Sequence, residues 1–157
     1  MSGEPNYITR EGAQRLQDEL IALRVKLRPR IVQEVADAAA QGDRSENAEY
    51  IYGKKKKLRE IDRHIHSLMK RMAIASVVEP SAAPPTRVVF GCHVDVEDEE
   101  GNVAVYRIVG ADEIDPSAGH ISWRSPLGRA LLGKRPGDTF TFRPPSGEVE
   151  LTVLAVR

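Results

Sequence analysis

The sequence predicts an α+β protein in which a helical hairpin, a coiled coil, precedes a small β-rich domain with one short helix. In the first half of the chain, apolar residues recur at helical spacings of three and four, whereas in the second half they alternate with a period of two. A stretch rich in proline and small residues separates the halves, as in interdomain linkers. We therefore expect a hairpin over residues 1–76, a linker over 77–86 and a β-rich domain over 87–157.

Two apolar series predict the helices of the hairpin. The first begins after Thr9, which resembles an N-cap with Glu11 in the first turn, and it stops at Gln41-Gly42-Asp43. Its members are Ala13, Leu16, Leu20, Leu23, Leu27, Ile31, Val35 and Ala38. The second series forms an a/d seam of Leu58, Ile61, Ile65, Leu68 and Met72. Because the connection is short, the two helices should fold back as an antiparallel coiled coil.

Pro29 is the one residue that conflicts with a long first helix. Proline removes a backbone hydrogen bond and its ring crowds the preceding turn. The apolar series nevertheless keeps its phase across Pro29, from Leu27 to Ile31. We therefore expect a kink rather than a break.

Alternating apolar residues predict the β-rich domain. Val94 and Val96 would form one strand and Val103 and Val105 the next, with Glu100-Gly101-Asn102 as the hairpin turn. Further strands are expected over 106–109, 120–123, 139–142 and 149–153. A short helix over 126–132 should begin after Ser125 and stop at Gly133.

Composition limits the compartment and the chemistry. No apolar run approaches the ~20 residues of a membrane span, and the polar first residues do not open a secretory signal, so we expect a cytoplasmic protein. The single cysteine, Cys92, fits a core position in a reducing compartment. Residues 1–76 contain 15 Lys/Arg against 11 Asp/Glu, and the remainder 8 against 12. This charge difference favours the basic half as the neighbour of nucleic acid.

The connection between the predicted helices carries the candidate chemistry. Asp43 and Glu46 lie one helical turn apart at the far end of the hairpin. Such a pair has two explanations. It can be a helix cap, with both charges favoured by the positive end of the second helix. It can also share a divalent cation such as Mg²⁺, although two carboxylates bind it weakly unless another molecule completes the shell.

A basic run on the second helix is a candidate RNA contact. Arg59 and Arg63 share one helical face, and Lys55 and Lys56 lie on or near it. These four residues could contact phosphates, although a charged run can equally be a solvated face. The sequence contains no glycine-rich phosphate loop and no arrangement that indicates a self-sufficient active site.

Three segments, in order, resemble the bacterial Gre transcript cleavage factors. They are Tyr7-Ile8-Thr9-Arg10-Glu11-Gly12, Gly42-Asp43-Arg44-Ser45-Glu46-Asn47-Ala48-Glu49-Tyr50, and Ser125-Pro126-Leu127-Gly128-Arg129-Ala130-Leu131-Leu132-Gly133-Lys134 followed by Pro136-Gly137-Asp138. Arg44, Tyr52 and residues 56–63 are more similar to the GreB branch than to the GreA branch.

The resemblance implies an FKBP-like second domain, a partner and a role for each site residue. A monomer would dock on RNA polymerase through Ser125, Pro126 and Leu127, and its coiled coil would enter the secondary channel. Asp43 and Glu46 would help hold a Mg²⁺ ion shared with the polymerase, which itself hydrolyses backtracked RNA. Lys55, Lys56, Arg59 and Arg63 would contact the nascent RNA 3′ segment. The chain would thus stimulate a nuclease without being a free-standing enzyme.

Two other functions are alternatives to transcript cleavage. A non-cleaving regulator could occupy the same channel, but the intact acidic pair argues against it. A coiled-coil adaptor with an FKBP-like chaperone module is the other, and it would need no acidic tip.

Overall fold

The computed structural model describes residues 5–42 and 45–157. Two compact units form: a hairpin unit, Ala13–Ile74, and a β unit made of Met1–Gly12 together with Ala75–Arg157. The predicted fold class is confirmed, because a helical hairpin precedes a small β-rich domain with one short α-helix.

The division into units differs from the predicted boundaries at both ends of the hairpin. Strand β1 (Asn6–Thr9) pairs in parallel with strand β2 (Ala75–Val78), with Asn6 opposite Ala75 and Thr9 opposite Val78. Residues 5–12 therefore belong to the β unit, and β2 extends into the predicted linker. Both strands are four residues long, too short to show a period of two. Their pairing joins segments almost 70 residues apart, which a local pattern cannot reveal.

The hairpin unit is built from the predicted apolar seams. Its helices are α1 (Arg10–Ile21), a π-helical segment (Ala22–Leu27), α2 (Arg28–Ala39) and α3 (Ser45–Ile74). The seam residues that are almost fully buried are Leu16, Leu20, Ile31, Ala38, Ile61 and Leu68. The antiparallel arrangement follows from the ion pairs, since Glu34 meets Lys54 whereas the earlier Arg28 meets the later Asp62. Within the described residues, no helix is both long enough and apolar enough to cross a membrane.

Pro29 does not break the first helix, because the π-helical segment precedes it. The backbone N–H of Arg28 donates to the carbonyl of Leu23, five residues earlier, which is the hydrogen bond of a π-helix. The wider turn accommodates the proline ring that would otherwise clash with the carbonyl four residues before it. Pro29 then occupies the first turn of α2, where its missing N–H costs little.

The β unit contains a five-stranded sheet in the order β5-β4-β3-β7-β6. Its strands are β3 (His93–Glu97), β4 (Val103–Val109), β5 (His120–Ser122), β6 (Thr139–Phe142) and β7 (Val149–Val156). All neighbours are antiparallel except the parallel pair β4 and β5. The predicted turn at Gly101 joins β3 to β4, and the predicted helix is α4 (Pro126–Leu131). Cys92 lies in the core, as predicted, with Val94, Ile108, Leu131 and Val153.

Candidate functional site

The tip of the hairpin is tied together by Asn47, a residue that the sequence analysis did not single out. Its Nδ2 donates to the carbonyl of Ala38 at 2.7 Å and to that of Gly42 at 2.8 Å. These carbonyls lie at the end of α2 and just beyond it, where helical partners are missing. Gly42 has a φ of +93°, the left-handed geometry with which helices commonly end. One amide at the start of α3 thus fixes the end of α2.

Of the two predicted tip carboxylates, the described part of the chain contains one. Glu46 is exposed in the first turn of α3 and forms no ion pair with a described residue. Its negative charge is favoured there by the helix dipole. Asp43 lies outside the described residues. No group of three potential metal ligands occurs in the chain as described, which is residues 5–42 and 45–157.

Several cations of the hairpin form ion pairs between its helices. Arg28 contacts Asp62 through two nitrogens, at 2.7 and 3.3 Å, and the Lys54 Nζ lies 2.8 Å from Glu34. The hydrogen bond from Arg28 lowers the pKa of Asp62, and the one from Lys54 lowers that of Glu34. These cations help to hold the hairpin together and are not available to a phosphate.

The four predicted RNA-contacting residues do not form ion pairs of this kind. Lys55, Lys56, Arg59 and Arg63 are all exposed, and none forms an ion pair with any residue that the structure describes. Their spacings of three, four and seven place them along one side of α3. We call these four residues the basic stripe. Positive charge without an internal partner is what a phosphate backbone would need from this face.

The predicted docking residues begin α4 in the β unit. The Ser125 hydroxyl accepts from the N–H of Gly128 and donates to the carbonyl of Ser122, so it is a structural N-cap. Pro126 is exposed at the first helical position, whereas Leu127 is half-buried and packs against the core. Only Pro126 therefore offers its side chain freely to a partner.

The docking residues also line an apolar groove of about 350 Å³. The other lining residues come from loops and strands of the same unit, and they are Ile114, Pro116, His120, Ile121, Ser122, Phe142, Arg143, Pro144 and Pro145. Proline and aliphatic side chains dominate this surface. Such a concave apolar patch is suited to binding another protein.

A buried carboxylate in the β unit holds the start of α1. Glu113, 5% exposed, accepts from the N–H groups of Thr9 and Gly110 at 2.9 and 2.8 Å, and also from the Thr9 hydroxyl. Thr9 caps α1 as predicted, since its Oγ1 accepts from the N–H of Gly12 at 3.0 Å. A Cβ on Gly12 would lie 2.1 Å from Glu113 Oε1, so only glycine fits here. Nothing in the sequence near Glu113 indicated this role.

Comparison with known proteins gives a consistent result for both halves of the chain. Residues 6–77 match the family model described as "Transcription elongation factor, N-terminal", and residues 83–157 match "Transcription elongation factor, GreA/GreB, C-term".

Individual relatives cover nearly the whole chain. "Transcription elongation factor GreB" of Yersinia pestis is 49% identical over 97% of this chain and 88% of its own length. The protein of the same name from Pseudomonas aeruginosa is 53% identical over 94% of this chain and 86% of its own length. Among solved structures, the GreA factor homolog 1 (Gfh1) protein of Thermus thermophilus is 26% identical and covers 98% of this chain and 99% of its own, with a TM-score of 0.42 that is too low to carry a structural argument. On the matches to the family models and to these relatives, the chain belongs to the GreA/GreB family of transcription elongation factors, close to GreB.

Proposed function

We propose that this elongation factor acts in the cytoplasm as a monomer that enters the secondary channel of RNA polymerase and stimulates the polymerase's own hydrolysis of backtracked RNA. Arrested complexes would thereby be rescued. The observation that carries the proposal is the hairpin tip, where the exposed carboxylate of Glu46 lies in the first turn of α3, next to Asn47, whose amide holds the end of α2. An exposed negative charge at the end of a helical hairpin is suited to reach a catalytic centre that lies deep inside another protein.

The tip residues fit an ion that is shared rather than resident. Glu46 is an oxygen donor without an ion-pair partner among the described residues, and these residues contain no three-ligand cluster. A hard cation such as Mg²⁺ prefers oxygen ligands but needs more of them than one short tip supplies. Asp43 and Glu46 would therefore hold Mg²⁺ only together with the polymerase. Two ions serve such a phosphodiester hydrolysis, one favouring the attacking water and the other the leaving oxygen; the ion shared with the tip would supply the first role, and the polymerase would hold the other ion.

The remaining surfaces provide docking and substrate binding. Pro126, with Ser125 holding α4 in place and Leu127 beside it, would contact the polymerase through the apolar groove. The basic stripe would contact phosphates of the extruded RNA 3′ segment. Each surface lies within one compact unit, so each can be altered without rebuilding the other unit.

The test is transcript cleavage in a defined arrested complex. Purified polymerase is stalled on a template with backtracked RNA labelled at its 5′ end, and the full chain is added with Mg²⁺. We expect shortened transcripts and, once nucleoside triphosphates are added, renewed elongation from the new 3′ end. If the protein binds polymerase and changes pausing but the RNA keeps its length, the non-cleaving regulator is correct. If it does not bind polymerase, both functions are wrong and the adaptor is favoured.

A further inference from the structure

An exposed tyrosine extends the basic stripe toward the tip. Tyr52 is 66% exposed on α3. Lys55 and Lys56 follow it by three and four residues, Arg59 by seven and Arg63 by eleven, so all five side chains share one side of the helix. The described residues provide Tyr52 with no hydrogen bond or ion pair. An aromatic ring so exposed contributes little to the stability of the hairpin.

Tyr52 also forms one wall of a shallow groove between α2 and α3 next to the tip. The groove has a volume of about 410 Å³ and is otherwise lined by Val35, Ala39, Gly42, Ala48, Ile51 and Lys55. Its floor is made of small and aliphatic side chains, and Lys55 brings the only charged group among the lining residues. A flat apolar molecule that carries negative charge at its edge would match this arrangement.

The second tyrosine of this turn has a different environment. Tyr50 is 47% exposed, and the Lys54 ammonium lies 5.4 Å from its ring centre. Because Lys54 in turn contacts Glu34 on α2, the Tyr50 ring belongs to contacts between the helices. Tyr52 has no such contact, and it lies on the side of the unpaired cations. The two tyrosines therefore differ in what they can offer to a ligand.

We propose that Tyr52 binds the substrate directly and stacks on a base of the extruded RNA 3′ segment, with Lys55 and the rest of the basic stripe on the adjoining phosphates. Aromatic rings interleaved with cations are the usual means of binding single-stranded nucleic acid, because every base has a π-face and every nucleotide a phosphate. Charge complementarity selects RNA over an apolar protein segment as the occupant. This inference rests on the proposed function and adds a residue to its substrate site.

The test compares three variants of the full chain in the arrested complex: Tyr52→Leu, Tyr52→Phe and, as the matched control, Tyr50→Leu. Leucine favours helix, so none of them should unfold α3, which circular dichroism would check. Loss of one stacked base should raise the factor concentration for half-maximal cleavage about 5- to 150-fold in Tyr52→Leu. Tyr52→Phe retains the π-face and should stay near the parent, as should Tyr50→Leu.

A second readout follows the RNA directly. With 4-thiouridine in the backtracked segment, ultraviolet light should cross-link the RNA to the chain, and the cross-linked peptide should contain Tyr52. Equal cleavage by Tyr52→Leu and Tyr50→Leu, or a cross-link confined to other segments, would overturn the proposal. The proposal would also be overturned if Tyr52→Leu lost as much affinity for polymerase that contains no RNA, because the groove would then bind protein. If the parent chain promotes no cleavage at all, the proposed function fails, but the cross-link still decides whether Tyr52 contacts RNA.

Discussion

The carboxylate of Glu113 accepts a hydrogen bond from the backbone N–H of Thr9, 104 residues earlier in the chain. The same oxygen, Oε2, accepts from the N–H of Gly110, while Oε1 accepts from the Thr9 hydroxyl. Because all these groups are buried, the pairing holds Thr9, the last residue of β1 and the cap of α1, within the β unit. A burial of this kind is costly to undo, since a donor deprived of its acceptor has no water to replace it.

We expect Glu113→Ala to destabilise the β unit far more than Glu113→Gln. Alanine strands the N–H groups of Thr9 and Gly110, at about 1–3 kcal/mol each. The glutamine carbonyl can still accept from both, and the Thr9 hydroxyl can turn to accept from the new amide. Urea unfolding followed by Trp123 fluorescence would measure this, because the Trp123 ring lies 5.1 Å from that of Tyr7 in β1. Equal loss in the two variants would show that the negative charge itself is required.

Replacing the tip carboxylates by amides should separate catalysis from helix capping. Asn caps a helix about as well as Asp, and Gln can replace Glu in a capping box, so Asp43→Asn with Glu46→Gln should keep the hairpin folded. Stimulated cleavage should fall by orders of magnitude while polymerase binding remains, because the amides supply no anionic ligand. Raising Mg²⁺ should restore part of it by mass action. Near-normal cleavage by the folded double variant would leave capping as the role of the pair.

The basic stripe should matter most where much RNA is extruded. Arg59→Gln with Arg63→Gln should weaken cleavage of long backtracked segments and leave docking nearly unchanged. Because phosphate binding releases counterions, the advantage of the parent chain should shrink as salt rises. Arg24→Gln with Lys26→Gln is the matched control, since it removes two exposed cations from the π-helical segment instead. A parent advantage that does not respond to salt would indicate packing rather than phosphate contact.

Pro126 is the sharpest probe of docking on the β unit. Its side chain is exposed at the first position of α4, so Pro126→Ala removes surface without removing the Ser125 cap or the Leu127 core contact. We expect weaker polymerase binding, by roughly tenfold if Pro126 lies at the centre of the interface, with unchanged unfolding. Pro136→Ala, at another exposed proline of the unit, is the control. If both variants bind like the parent chain, the groove at α4 is not the docking surface.

The sequence itself determined the features that repeat locally. Burial of Leu16, Leu20, Ile61 and Leu68 follows from helical spacing, because residues three and four apart share one face whatever lies elsewhere in the chain. The strand pair β3 and β4 follows from alternation around the turn at Gly101 for the same reason. The roles of the exposed residues Glu46, Arg59 and Arg63 stay predictions, because an exposed side chain takes its role from the molecule that it binds and not from its own fold.

Other features were decided only by the tertiary structure, because they depend on residues that are distant in sequence or on the local backbone around one residue. The pairing of β1 with β2 moves both ends of the hairpin into the β unit, and no local period marks four-residue strands. The helix continues at Pro29 because the π-helical segment has about one more residue per turn, which relieves the clash between the proline ring and the preceding turn. The spacing of apolar residues alone does not predict this. In the sequence, Glu113 resembles an ordinary surface acid. Its burial is possible only because the fold places the N–H of Thr9 next to its carboxylate, since a buried charge needs hydrogen-bond partners close to it in space.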